Sequence, residues 1–405
     1  VIDPPTFPAD VLPIERTARL VEDHREELVA FRRDLHAHPE LAWQEKRTAE
    51  RVVERLRGAG LAPHELAGGG LWVDIGPTGG PAVALRADLD ALPIADETDD
   101  PWRSTVPGVA HACGHDVHTA ALVGAGLVLA GLEQSGGLPG RVRLLFQPAE
   151  EVMPGGALAL LAAGALDGVQ HVFCLHCDPG LDVGQIGVRH GPLTGAADAL
   201  EVRLRGSGGH TSRPHLSQDL TYALGKVVTD LPAVLSRRMD PRAGVSVVWG
   251  QVQAGSATNV IPREGRARGT VRMLDSVAWG EVEELIRTVV AQIVAPYEVS
   301  ADVGYVRGVP PVVNDPGATD VLVEAAREVV GAEHVVTVPQ SLGGEDFAWY
   351  LEHVPGSMAR LGTRTPGGPT YDLHQGDLRV DDRAVAVGAH LLAATALRAL
   401  AATSR

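Results

Sequence analysis

Aromatic residues, cysteine and lysine are all scarce in this 405-residue chain, and each shortage excludes something. Phe, Trp and Tyr make up 4% of the sequence, so the core has to be built mostly from Ala, Val and Leu. The three cysteines, Cys113, Cys174 and Cys177, are too few for a disulfide framework and fit a reducing, cytoplasmic compartment. Lysine occurs only at Lys46 and Lys226, so arginine carries nearly all the positive charge. With 35 basic against 51 acidic side chains the formal charge is −16, which argues against a nucleic-acid partner. The apolar run at 120–132 is shorter than a membrane span and broken by glycine, so no membrane association is expected. The opening "VIDPPTFPAD" lacks the basic start and apolar middle of a signal peptide.

What is present reads as a two-domain globular protein, since 405 residues exceed one ordinary core. Residues 14–58 have helical periodicity with many charges. "AVALRADLDALP" opens as a strand and ends in acids; "HTAALVGAGLVLAGL" follows as a helix. "RVRLLFQPAEE" is a strand ending on two glutamates, the stretch 156–166 is a second apolar helix, and "HVFCLHCDP" is a strand stopped by proline. The alternation predicts an α/β layer with a largely parallel sheet. Beyond Val188 the pattern becomes β-α-β-β-α-β, the ferredoxin-like order. This places an inserted domain at 189–304 within a discontinuous α/β domain of residues 1–188 and 305–405.

Ligands bind outside the carboxyl ends of strands in open α/β sheets. Asp88 and Asp90, Glu150 and Glu151, and His176 stand at three such ends, and "HACGHDVH" (111–118) leads into a helix beside them. A Cys, a His, a Glu and another His suit a borderline-soft divalent metal. Cys113 fits because a helix N-terminus and a metal both favour thiolate. At the end of the "PAEE" strand, one carboxylate can reach a metal while its neighbour reaches a water. By itself, "PAEE" reads more readily as a solvated pair of acids after a proline.

The motifs "FRRDLHAHPEL", "RADLDALP", "HACGHDVH", "FQPAEE", "LHCDP", "GSGGHTSRPH" and "LGGEDFAWYL" stand in the order found in the M20 metallopeptidases. The chain most resembles the aminoacylase/hippuricase-like amidohydrolases of that family, over about 31–382. The resemblance implies a metal-binding α/β catalytic domain and an inserted ferredoxin-like domain that dimerises and forms a lid. It implies that Cys113, His115, Glu151, His176 and His374 hold two divalent ions, Zn²⁺ or Mn²⁺/Co²⁺, and that Glu150 is the general base. By the same resemblance His210 reaches the partner subunit's site of a homodimer to stabilise the oxyanion, while Asn259 and Arg272 hold the substrate amide or carboxylate. The family's early His-x-Asp reads Arg86-Ala87-Asp88 here, so Asp88 is expected to orient a ligand rather than to be one. After His374 the family's Ser-Pro-x-Phe reads Gln375-Gly376-Asp377-Leu378.

The implied reaction is hydrolysis of an N-acyl amino acid to a carboxylic acid and a free amino acid. A dipeptidase or carboxypeptidase would use the same site. A metal-independent cysteine hydrolase with Cys113 as nucleophile and His115 as base is a rival of another class, and a non-enzymatic metal-binding role is a third. His36 and His38 read as structural, and His111 and His118 as supports beside the ligands. Cys174 and Cys177 read as buried, inert thiols. Glu345 and Asp346 read equally as helix caps or as acids behind the site. The Gly pairs 79–80 and 155–156 read as turns.

Overall fold

The structure, a computed structural model, describes residues 13–403; the stretch "VIDPPTFPAD" lies outside them. The described chain divides into two compact units. The first takes the residues up to Gly191, then Asn314–Pro339 and the residues from Trp349 onward. The second takes Pro192–Val313 and Gln340–Ala348.

The first unit begins with two helices, α1 (Pro13–Ala37) and α2 (Lys46–Gly58). The single helical stretch read over 14–58 is broken because Pro39 disfavours helix at the residue before it. There follow β1 (His64–Glu65), β2 (Leu71–Ile75), β3 (Ala82–Asp88), α3 (His115–Gln134), β4 (Arg141–Gln147), α4 (Ala157–Ala162), β5 (His171–Asp182) and β6 (Ile186–Val188). The second unit contributes β7 (Ala196–Arg205), β8 (Gly209–His210), α5 (Leu220–Arg238), β9 (Ser246–Ala254), β10 (Val260–Ile261), β11 (Glu264–Met273), α6 (Ser276–Val294) and β12 (Ser300–Val309). The first unit then resumes with α7 (Pro316–Val330), β13 (Val335–Thr337), β14 (Gly356–Arg364) and α8 (Arg383–Thr403).

The main sheet has the order β1-β2-β4-β3-β5-β14-β6-β13. Its centre, β4-β3-β5-β14, is parallel. On one side β2 and β1 run antiparallel, and on the other β6 opposes β14. The sheet is therefore mixed rather than largely parallel. Every residue of β3 is buried, as a strand covered on both faces requires. β5 continues through Pro179 to Asp182, past the stop read from the sequence. The helix read at 156–166 is only the short α4.

α3 is apolar nearly all round and almost wholly buried. A Cβ at Gly124 would lie 2.7 Å from Leu28 of α1 and 2.8 Å from Ala389 of α8, so glycine there lets three helices close on one another. By length and composition α3 and α8 could cross a membrane, and α3 exceeds the run read at 120–132. Yet 89% and 67% of their apolar windows are buried in the protein, so they are core helices.

In the second unit the strands order as β9-β11-β7-β12, all antiparallel. α5 and α6 pack on this sheet and on each other. Asp219 caps α5 through Tyr222 N–H, and Asp275 caps α6 through Ala278 N–H. β8 and β10 form a separate two-stranded piece.

Candidate metal and catalytic site

The carboxyl ends of β3 and β4, the middle of β5 and the N-terminus of α3 bring a group of candidate donors together in the first unit. Cys113, His115 and His176 place their ligand-type atoms within 4.8 Å of one another. So do Cys113, Glu151 and His374, and His115, Glu150 and Glu151. Cys113 Sγ lies 3.6 Å from His176 Nε2. His115 Nε2 lies 3.7 Å from Glu151 Oε1 and 3.9 Å from Glu150 Oε2.

The imidazoles are held in fixed roles. His115 Nδ1 faces the Asp90 carbonyl at 2.9 Å, and His176 Nδ1 faces the Cys177 carbonyl at 2.8 Å. A carbonyl only accepts, so both Nδ1 atoms carry protons and both Nε2 atoms turn to the donor group. His374 arrives from the C-terminal segment with a left-handed backbone, φ 62°. Its N–H donates to the Ala112 carbonyl at 2.7 Å, which sets it beside Cys113. Its Nε2 stands 3.3 Å from Glu151 Oε1.

The helix start explains the Cys-Gly-His spacing. Gly114 caps α3 with φ 85°. A Cβ there would meet Cys177 Sγ at 2.8 Å, so only glycine lets Cys113 and His115 flank the turn. Cys174 and Cys177 are buried and free, and Cys177 Sγ packs against the Gly114 carbonyl.

Asp88 is fully buried and meets Arg86 Nη1 at 2.7 Å and His118 Nδ1 at 2.6 Å. Burial alone would raise its pKa, but the neighbouring His115, His118 and Arg86, together with the hydrogen bond from His118 Nδ1, outweigh burial and hold it well below the usual carboxylate range. Arg86 also donates to Gln147 Oε1 at 3.0 Å, so it braces β3 against β4. Burial pushes the Cys113 thiol far up and the His176 imidazole well down. His176 is thereby neutral, ready to ligate, while a thiolate at Cys113 requires a cation beside it.

The donor set passes a further test for metal. His115 Nε2 and Glu151 Oε1 are buried and have no hydrogen-bond partner among the described residues. Buried polar atoms of this kind are costly unless a charged partner satisfies them, as a cation would.

Several placements differ from the sequence reading or extend it. β4 ends at Gln147, so Glu150 and Glu151 lie beyond the strand and do not alternate across it. Ala149 has φ 55°, and the turn there directs both glutamates toward His115. His36 is buried in an ion cluster: its Nδ1 meets Asp116 at 2.8 Å, where Arg32 Nε also arrives at 2.6 Å. That cluster ties α1 to the first turn of α3. His38, just past α1, sets its Nδ1 against the carbonyl and carboxylate of Asp34. His111 is buried and pushed down to about 4 by burial. Gln147 also meets Tyr350 Oη at 3.0 Å. Sequence reasoning missed Glu45 and gave Asp90 no role. Glu45 Oε1 accepts from Ala149 N–H at 2.7 Å, and Asp90 accepts from both Glu150 N–H and Glu151 N–H. Burial pushes the Glu45 carboxyl up to about 7.

His210, Asn259 and Arg272 belong to the second unit. His210 is exposed on β8, and Ser212 N–H donates to its Nδ1 at 3.1 Å. The neutral ring therefore carries its proton on Nε2. Asn259 is exposed, and its carbonyl accepts from Thr211 N–H, which keeps it next to His210. Arg272 sits on β11 and donates to the Leu342 carbonyl. Glu345 caps Phe347 N–H at 2.9 Å.

Residues 84–398 match peptidase family M20/M25/M40. The N-acetyl-L-cysteine deacetylase of Bacillus subtilis is 38% identical over 92% of this chain and 88% of its own length. A Rhodococcus jostii protein named as a candidate glutamate–cysteine ligase is 51% identical over 91% of this chain. The chain spans only 46% of that protein's length. Among solved structures, the YXEP protein of Bacillus subtilis, described as a dinuclear metal binding peptidase, superimposes with a TM-score of 0.81 at 35% identity, covering 94% of this chain and 99% of that one. The chain belongs to peptidase family M20/M25/M40.

Proposed function

We propose that this chain is a metal-dependent amidohydrolase that cleaves N-acyl amino acids to a carboxylic acid and a free amino acid. The observation that carries the reading is the convergence of buried Cys113, His115 and His176 with half-buried Glu151 and the more exposed His374, beside a second carboxylate, Glu150. A relative that deacetylates N-acetyl-L-cysteine supports the substrate class. The five residues would hold two divalent ions of the Zn²⁺ or Mn²⁺/Co²⁺ type. When bound, such ions polarise an amide carbonyl and acidify water.

The chain's own residues do the rest. Glu150 takes a proton from water and returns it to the departing amine nitrogen. Asp88, anchored by Arg86 and His118, supports the cluster electrostatically. In the second unit, read as a ferredoxin-like dimerisation domain at 189–304, His210 presents Nε2–H. That proton is available to an oxyanion in the partner subunit of a homodimer. Asn259 would hold the amide and Arg272 the substrate carboxylate. The three free, buried cysteines agree with a cytoplasmic setting. A dipeptidase or carboxypeptidase would use the same groups. Cysteine hydrolysis is disfavoured, because burial keeps Cys113 a neutral thiol and a neutral thiol is a poor nucleophile.

The test measures amino-acid release from a panel of N-acyl amino acids and dipeptides, using as-purified, chelated and metal-restored enzyme. Activity on N-acyl amino acids that vanishes on chelation and returns with Zn²⁺ or Mn²⁺ is expected. Activity that survives complete metal removal overturns the reading. A preference for dipeptides would select the alternative. Glu150→Gln should abolish turnover while leaving metal content near normal.

A further inference from the structure

We propose that Asp90 is the positioning residue of the site, a buried carboxylate that aims Glu150 and Glu151 at a common point through their backbone amides. The proposal rests on the reading of Glu150 as base and Glu151 as ligand.

Adjacent residues in an extended strand point to opposite faces. Here Glu150 Oε2 and Glu151 Oε1 converge on the same atom, His115 Nε2, at 3.9 and 3.7 Å. Something has to impose that geometry. Ala149 takes a left-handed backbone, φ 55°, and the next two N–H groups turn into one concavity. Successive amides in such a turn form an anion-binding nest. The anion in this nest is the Asp90 side chain: Oδ1 accepts from Glu150 N–H at 3.0 Å, and Oδ2 from Glu151 N–H at 2.9 Å. Asp90 is 1% exposed, so water does not compete for it.

The same residue acts a second time. Its carbonyl receives His115 Nδ1 at 2.9 Å, which turns Nε2 toward the two glutamates. One residue just past β3 thus orients three groups that lie 25, 60 and 61 positions away. Glu45 braces the loop from behind through Ala149 N–H, so three consecutive amides are taken by two buried carboxylates. An Asn at position 90 would keep one acceptor and turn an NH₂ toward a backbone N–H, releasing one of the two glutamates.

The experiment compares Asp90→Asn, Asp90→Glu and Glu150→Gln with the parent enzyme. Kinetics on an N-acyl amino acid are paired with Zn²⁺ titration of the metal-free proteins. Asp90→Asn should lower kcat at least about tenfold with KM little changed, and weaken Zn²⁺ binding about tenfold, as loss of an orienting partner does. Asp90→Glu, which keeps the charge and both acceptors, should recover part of kcat. Glu150→Gln should lose turnover and bind Zn²⁺ like the parent. A folded Asp90→Asn with parental kcat and Zn²⁺ affinity, beside an inactive Glu150→Gln, overturns the role of Asp90 alone. Turnover retained in Glu150→Gln instead overturns the base assignment beneath it. Should Asp90→Asn not fold, amide hydrogen exchange on the parent decides. Slow exchange at Glu150 and Glu151 is expected, and exchange as fast as at exposed Val152 refutes the proposal.

Discussion

The backbone N–H of Cys177 donates to Nε2 of His118 at 2.8 Å. That bond places the ring proton on Nδ1, where Asp88 Oδ1 receives it at 2.6 Å. Both nitrogens of His118 are thus committed, although Asp88, His115 and His118 lie close enough to suggest a metal triad. His118→Asn should therefore bind the same number of ions as the parent, with affinity lower by about 10–100-fold as Asp88 loses its partner. Metal analysis at saturation is the check, and the loss of one ion per chain would place His118 among the ligands.

Cys113 offers a second prediction. Burial raises its pKa, so the metal-free protein holds a thiol at neutral pH and must release that proton when a cation binds. Zn²⁺ titration in buffers of different ionisation enthalpy should show about one more proton released by the parent than by Cys113→Ser. The serine variant should also retain less metal after dialysis. Full occupancy in Cys113→Ser would remove the thiolate from the ligand set.

Gly114→Ala tests the helix start. The substitution puts a side chain in a left-handed conformation, a strain of about 1–2 kcal/mol, and drives its Cβ to 2.8 Å from Cys177 Sγ. Stability should fall by about 2 kcal/mol or more, read as a lower melting temperature, and metal content should fall with it. A variant as stable as the parent would show that the turn adapts freely.

Glu45 makes stability depend on pH. Its folded pKa is raised by burial to about 7 from the ordinary value of 4.5. Between those values the unfolded chain gives up a proton that the folded chain keeps, so stability falls as pH rises and levels off above 7. Glu45→Gln removes this slope and keeps an acceptor for Ala149 N–H. Its melting temperature should gain on the parent from pH 4.5 to pH 7, by up to about 3 kcal/mol in stability at about 1.4 per pKa unit. A constant offset across that range would contradict the shift.

Cys113, His115 and Glu151 were legible as candidate donors because they sit in short motifs at a helix start or just past a strand end, where neighbouring residues announce the element. The supports were not. Asp90 and Glu45 act on a loop 60 and 104 residues away, and no local pattern encodes a contact across that distance. Strand direction was equally hidden: β2 alternates like any strand, and only its pairing with β4 makes it antiparallel. The turn that brings the two glutamates together was not legible either, since adjacent residues of a strand point to opposite faces. It is the positive φ of Ala149, unusual for a residue with a Cβ, that makes them converge.

The first unit is written in three separate stretches of chain, and this has a consequence for its birth on the ribosome. β5 waits for β14 to cover its edge, and the apolar face of α3 waits for α8. His374, between them, is among the last donors to emerge. Until the final segment is synthesised, the nascent chain exposes an unpaired parallel strand and an uncovered helix, the features that invite aggregation. The second unit, contiguous through Val313 apart from a short later segment, can form its sheet during that wait. On the proposed ligand set, metal capture is a closing event of synthesis, and a chain interrupted before residue 374 carries Cys113, His115, Glu151 and His176 without His374.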